Sequence, residues 1–182
     1  MPVSEETYQR VALEDDDTKW ELHCGRLVEK PIMTAEHNDT IDELYGRLRA
    51  QLTRDEWAIR SDSGKLRPLP GSIYVPDLFV IPRASVRRLR EQPGTFEVYN
   101  EPVPLVVEVW SPSTGRYDVD TKIPEYCRRG DLEIWRLHPY ERTLTAWRRQ
   151  PDGTYIVEVF RGGLIRPVAL PGVVIDLDTL FD

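Results

Sequence analysis

Val103-Pro104-Leu105-Val106-Val107-Glu108-Val109-Trp110 is an almost unbroken hydrophobic run with one acid inside it. Such a run reads as a strand buried on both faces, as at the centre of an α/β sheet. Glu108 is then the anomaly, because an ionised carboxylate in apolar surroundings is costly unless it is paired or bound to a cation. An edge strand open to water, an ion pair with an arginine and a metal ion would each answer that cost. The stretch alone does not choose among them.

Two other segments narrow the choice. Ile73-Tyr74-Val75-Pro76-Asp77-Leu78-Phe79-Val80-Ile81 places a second acid, Asp77, inside another apolar run. Pro76 removes a ladder donor, so a bulge, a bend or a sheet opening is expected there. Acids on neighbouring strands raise each other's proton affinity unless a divalent cation lies between them. A hard cation such as magnesium suits that setting. Lys122 follows Glu108 by fourteen residues on an expected helix, with Tyr126 four residues further along the same face. Its ammonium can orient a water or stabilise a charged transition state.

The remaining elements are read outward from these. Residues 1–17, with Asp15-Asp16-Asp17, lack sustained periodicity and read as a flexible segment ahead of a single domain over 18–182. Lys19–Cys24 and Arg26–Lys30 flank Gly25 as a hairpin. Thr34 caps a helix from about Ala35 to Leu52, with Ile41, Leu44, Leu48 and Leu52 on one face and His37 near its start. Glu56–Ser61 and Ser72–Ile81 read as strands, Gly64–Gly71 as a turn, and Arg83–Asn100 as polar and irregular. Tyr117–Arg129 reads as a helix ended by Gly130, and Pro124 falls in its first two turns or kinks it. Glu133–His138, Thr143–Arg149 and Tyr155–Arg161 read as strands. The order gives an α/β (α+β) fold, a mixed sheet flanked by helices with an N-terminal β-hairpin.

Composition excludes several classes. With 182 residues, 40% hydrophobic and 30% charged, the chain is neither disordered nor a membrane bundle. The acidic N-terminus has no apolar core and so is not a secretory signal, and a cytoplasmic location is expected. Cys24 and Cys127 stand outside any CxxC spacing, which offers neither a disulfide framework nor a zinc motif. His23, His37 and His138 form no HxH or HxxxH pair, and GxxxxGK[ST], GxGxxG and GxSxG are absent. The net charge of −7 is carried by the first 50 and the last twelve residues, leaving residues 51–170 slightly basic. That body can still meet a polyanion locally.

The ordered set Val75-Pro76-Asp77, Val106-Val107-Glu108-Val109, Ser111-Pro112-Ser113-Thr114, Tyr117-Asp118, Lys122, Tyr126, Gly130 and Glu133-Ile134-Trp135 resembles the Uma-type endonuclease family. That family belongs to the PD-(D/E)XK restriction-endonuclease-like superfamily. Trp20-Glu21-Leu22, Gly25 and His37 resemble its N-terminal pattern, and the likeness spans roughly residues 18–160. The resemblance implies a restriction-endonuclease-like core and a Mg²⁺- or Mn²⁺-dependent phosphodiesterase acting on DNA. It implies Asp77 and Glu108 as metal-binding acids, with the Val109 carbonyl beside them, and Lys122 as the third catalytic residue. The superfamily's usual lysine position, two residues after the second acid, is here Trp110; in Uma-type proteins a lysine from the following helix takes that role. Glu21, His37 and Tyr126 match accessory positions. Arg83, Arg87, Arg88, Arg128 and Arg129 are candidates to grip flanking phosphates.

Two other readings compete with the endonuclease. One is a catalytically silent nuclease-fold domain that binds nucleic acid or a protein partner; the other is a plain Glu108–Lys122 ion pair with no site. A homodimer suits an enzyme that cuts two strands, but no interface is legible in the sequence.

Overall fold

The chain opens with a helix that the sequence reading leaves out. In the computed structural model, α1 (Glu5–Glu14) starts at Ser4, whose side chain accepts a hydrogen bond from Thr7 N. Its anchor is Tyr8, fully buried, with its hydroxyl donating to Trp20 O at 2.9 Å and its ring edge-on to Phe96. That anchor is tertiary, so no local periodicity announces the helix. The structure describes residues 2–15, 17–90, 92 and 95–182. Met1 and Asp16 of the expected flexible segment, and Glu91, Pro93 and Gly94 of the expected irregular stretch, lie outside the described residues.

Strands β1 (Trp20–His23) and β2 (Arg26–Glu29) form the expected hairpin, with Gly25 at φ 74°. Helix α2 (Ala35–Gln51) is capped by Thr34, which accepts from His37 N. The face bearing Ile41, Leu44 and Leu48 is buried as its spacing requires, each side chain contributing about 1.5–3 kcal/mol. Next come β3 (Trp57–Ser61), β4 (Lys65–Leu69), β5 (Ser72–Tyr74) and β6 (Leu78–Pro82). Two expectations change here. The turn expected over Gly64–Gly71 contains β4, because Pro68 falls in an irregularity between Leu66 and Leu69 where the ladder skips a bond. The single strand expected over Ser72–Ile81 is two strands of different sheets, parted at Val75-Pro76-Asp77.

After α3 (Arg83–Arg87) and the short β7 (Val98–Tyr99) comes β8 (Leu105–Val109), buried along its whole length. A short turn, α4 (Gly115–Tyr117), leads into a π-helical turn over Asp118–Lys122 and then α5 (Ile123–Arg129), which Gly130 ends at φ 90°. Pro124 accounts for the wide turn. It has no N–H for the carbonyl four residues earlier and its ring crowds that carbonyl, while Ile123 N bonds to Asp118 O instead. Strands β9 (Glu133–His138), β10 (Thr143–Arg149), β11 (Tyr155–Phe160), β12 (Leu164–Ile165) and β13 (Ile175–Asp176) complete the chain.

The six-stranded sheet runs β11-β10-β9-β8-β6-β3 and the five-stranded sheet β2-β1-β5-β4-β7. Only β8–β9 and β4–β7 are parallel among the described pairs. Parallel β8 and β9 require a crossover, and α5 with its wide turn supplies it. Alternation along β8 sends Leu105, Val107 and Val109 into the core shared with α2 and the C-terminal segment. Val106 and Glu108 take the opposite face, toward α5. No helix among the described residues is long and apolar enough to cross a membrane.

Candidate active site

The site lies where the two sheets part. Val75-Pro76-Asp77 carries the chain from β5 to β6, and the backbone groups of Val75 are met by side chains rather than by a ladder. Val75 N donates to Glu21 Oε1 at 2.8 Å, and Val75 O accepts from Lys30 Nζ at 3.1 Å. Asp77 is held on both oxygens. Oδ2 accepts from Val109 N at 2.7 Å and lies 3.1 Å from His37 Nε2, while Oδ1 faces Lys30 Nζ at 2.8 Å. Burial works against the Asp77 charge, yet Lys30, His37 and Lys122 hold its pKa well below the usual carboxylate range.

Glu108 meets the crossover helix. Its Oε1 accepts from Tyr126 OH at 2.7 Å and from Lys122 Nζ at 3.3 Å. Lys122 Nζ is also 2.9 Å from Glu21 Oε1 and 3.9 Å from Asp118 Oδ1. Burial pulls its pKa down, but Glu108, Glu21, Asp118 and Asp77 more than offset that and keep it well above the usual lysine value. Burial pushes the Glu108 pKa well up; Lys122 opposes that shift, and Asp77 and Asp118 add to it. Asp118 is raised to about 6, again chiefly by burial.

By formal charge the cluster does not balance: Glu21, Asp77, Glu108 and Asp118 are all buried against the two ammonium groups of Lys30 and Lys122, and the raised pKa values of Glu108 and Asp118 are the response to that excess. A surplus of buried carboxylate with hard oxygen donors fits a divalent cation of the magnesium class. These side chains are reachable. Glu21, Lys30, Asp77, Glu108, Asp118 and Lys122 line a cavity of about 320 Å³. It adjoins a second of about 640 Å³, lined by His37, Asp62 and Ile41 among others, and Glu29, Lys30, Pro31, Met33 and Asp77 belong to both walls.

Of the residues singled out in the sequence, Asp77, Glu108, Lys122, Glu21, His37 and Tyr126 thus come together. The arginines do not join them. Arg83 lines a separate hollow with Tyr45 and Arg54, Arg88 pairs with Glu101, and Arg87 and Arg128 are exposed elsewhere. Arg129 is buried against Asp131 and donates to Tyr99 O, so it has no free face for a phosphate. Val109 meets Asp77 through its N–H. Trp110 stacks on His138 with ring centroids 4.3 Å apart, and a Cβ on Gly115 would collide with its indole.

Two members of the cluster escape the sequence reading. Lys30 bonds to Asp62 Oδ1 at 2.7 Å as well as to Asp77, and these contacts come from distant strands, so no local signal marks it. Asp118 was legible, since a carboxylate four residues before Lys122 shares its helical face.

A family model, Uma2, described as "Putative restriction endonuclease", matches residues 5–178. Among solved structures, a putative nuclease belonging to DUF820 from Anabaena variabilis ATCC 29413 superposes with a TM-score of 0.79 at 18% identity. That match covers 99% of this chain and 98% of the other. At this identity it speaks for the fold, and the fold agrees with the mixed, helix-flanked sheet expected from the sequence. No curated relative matches.

Proposed function

The chain belongs to the Uma2 family, and on that premise we propose that it is a divalent-metal-dependent endonuclease that hydrolyses phosphodiester bonds of DNA. The observation that carries the proposal is the convergence of Asp77, Glu108 and Lys122 from three separate chain segments on one open cavity, with more buried carboxylate than ammonium. Asp77 and Glu108 would hold a Mg²⁺ or Mn²⁺ ion, which supplies positive charge against a phosphate oxygen and acidifies a nucleophilic water.

The protein's own groups do the remaining work. The carboxylates around Lys122 favour its ammonium form, which suits a donor that orients the attacking water or offsets charge on phosphorus. Tyr126 fixes one oxygen of Glu108, and Val109 N with His37 fixes one oxygen of Asp77. The acids are therefore set before substrate arrives, which saves reorganisation in the transition state. Glu21 ties Lys122 to the Val75 backbone and so sets where its ammonium rests.

Supercoiled plasmid incubated with Mg²⁺ or Mn²⁺ tests this directly. Nicking by the wild type and none by Asp77→Ala is expected; equal nicking by both would mean a contaminant. The silent-domain reading draws on Lys30, whose ammonium already occupies Asp77 Oδ1. It would prevail if DNA stayed intact in either metal while the protein still bound it.

A further inference from the structure

A second group of metal-ligating side chains lies at the tip of the β1–β2 hairpin, apart from the carboxylate cluster. His23, Cys24 and Glu125 each offer a ligand atom, and these atoms all lie within 4.8 Å of one another. A zinc ion about 2.0–2.3 Å from each donor places them roughly 3–4 Å apart, so closure draws the side chains together and has His23 Nδ1 exchange its 2.7 Å contact with Tyr74 OH for the metal. Cys24 is exposed and His23 half-buried, while Glu125 is buried. The site therefore opens outward through the thiol.

The backbone supplies an independent argument. Cys24 and Gly25 both have positive φ, 47° and 74°. That is the two-residue type I′ hairpin turn, whose first position ordinarily takes Asn, Asp or Gly. A cysteine there carries backbone strain, and strain of this kind concentrates at ligand sites. The tip is also pinned: Cys24 N donates to Ser72 Oγ at 3.1 Å, Gly25 N to Gly71 O at 2.9 Å, and Gly25 O accepts from Val3 N at 2.7 Å. Tyr74 OH links two of the ligands: it donates to Glu125 Oε2 at 2.7 Å and lies 2.7 Å from His23 Nδ1, which faces Glu125 Oε1 at 3.7 Å. A ligand held by such a second partner is the usual arrangement at protein metal centres.

We infer that His23, Cys24 and Glu125 bind a transition-metal ion of the zinc class, with water in the fourth position. Mixed sulfur, nitrogen and oxygen donors select zinc or cobalt over magnesium. On binding, the Cys24 S–H bond is exchanged for a sulfur–metal bond and the proton passes to solvent. The ion clamps the hairpin that carries Glu21 to the helix that follows Lys122. The inference stands independently of the nuclease proposal.

The test is titration of the reduced, metal-free full-length protein with Co²⁺. A thiolate-to-cobalt charge-transfer band that saturates at one equivalent per chain and bleaches with Zn²⁺ is expected. Cys24→Ser should lose the band and Cys127→Ser should keep it. Glu125→Gln, which preserves the bond from Tyr74, should weaken binding by about tenfold or more. Zn²⁺ should raise the melting midpoint of the wild type and of Cys127→Ser but not of Cys24→Ser, whose fold is checked by far-ultraviolet circular dichroism. Absence of the band in folded wild type, its survival in Cys24→Ser, or its displacement by Mg²⁺ would overturn the assignment.

Discussion

Two groups of buried charge sit in this protein, and they behave differently. Around β9, Asp131 is fully buried against Arg129 and accepts from Val103 N, while Glu133 accepts from Arg148, Trp135 Nε1 and Val168 N. Each carboxylate there faces a guanidinium and takes a backbone donor, Arg148 reaching Glu158 as well. Around Asp77 and Glu108, four acids share two ammonium groups beside an open cavity. The first group closes the fold on itself; the second leaves charge over for something that arrives from outside. Burial of an acid is therefore a poor guide to function, and an unbalanced, reachable cluster is a better one.

That contrast breaks most sharply on activity. Glu108→Gln and Lys122→Met should each lower DNA nicking by about 10³-fold while the circular dichroism spectrum is unchanged. Glu133→Gln should leave nicking by the folded fraction intact, and the contrast fails if it abolishes nicking in folded protein. Stability gives the converse test. Arg129→Met strands the buried Asp131 carboxylate and should cost about 3–5 kcal/mol in urea unfolding, with no change in Mn²⁺ affinity by calorimetry. Lys30→Met probes the boundary, because it frees Asp77 Oδ1 in the surplus cluster. Mn²⁺ binding should tighten by about tenfold; weaker binding would make Lys30 part of the metal's support.

The smallest expected effect lies at Trp110. Burial holds the pKa of its stacking partner His138 below the usual histidine value. A depressed histidine pKa means that the fold disfavours protonation. The stability it contributes is complete above the ordinary histidine range and declines as pH falls through that range to the folded value. Trp110 fluorescence should titrate below the ordinary histidine midpoint, and the transition should vanish in His138→Gln.

What could be read in advance divides along the same physical line. Thr34, the Ile41–Leu44–Leu48 face and Gly130 act through the next turn of chain, so their spacing is enough. Asp77 and Glu108 stand out because an acid in an apolar run is costly wherever the run folds. Tyr8 and Lys30 depend on partners from other segments, which local periodicity does not register, whereas the strand containing Pro68 pairs with the next strand along the chain and is masked by the proline and the break in its ladder. Residues 5–14 consequently carry no local helix signal, and Arg129, a candidate for a flanking phosphate by sequence, is held by Asp131 two residues on.

The π-helical turn ahead of Pro124 has a consequence for how this segment tolerates change. It fits one more residue than a regular α-helical turn between Ser111-Pro112-Ser113-Thr114 and α5. Removing a single residue there would let the spiral wind regularly, and about 100° of rotation per residue would swing either Lys122 or Tyr126 away from Glu108. Substitutions along this stretch leave its angular phasing alone, whereas a one-codon deletion would dephase the ammonium from the phenol in a fold otherwise unaltered.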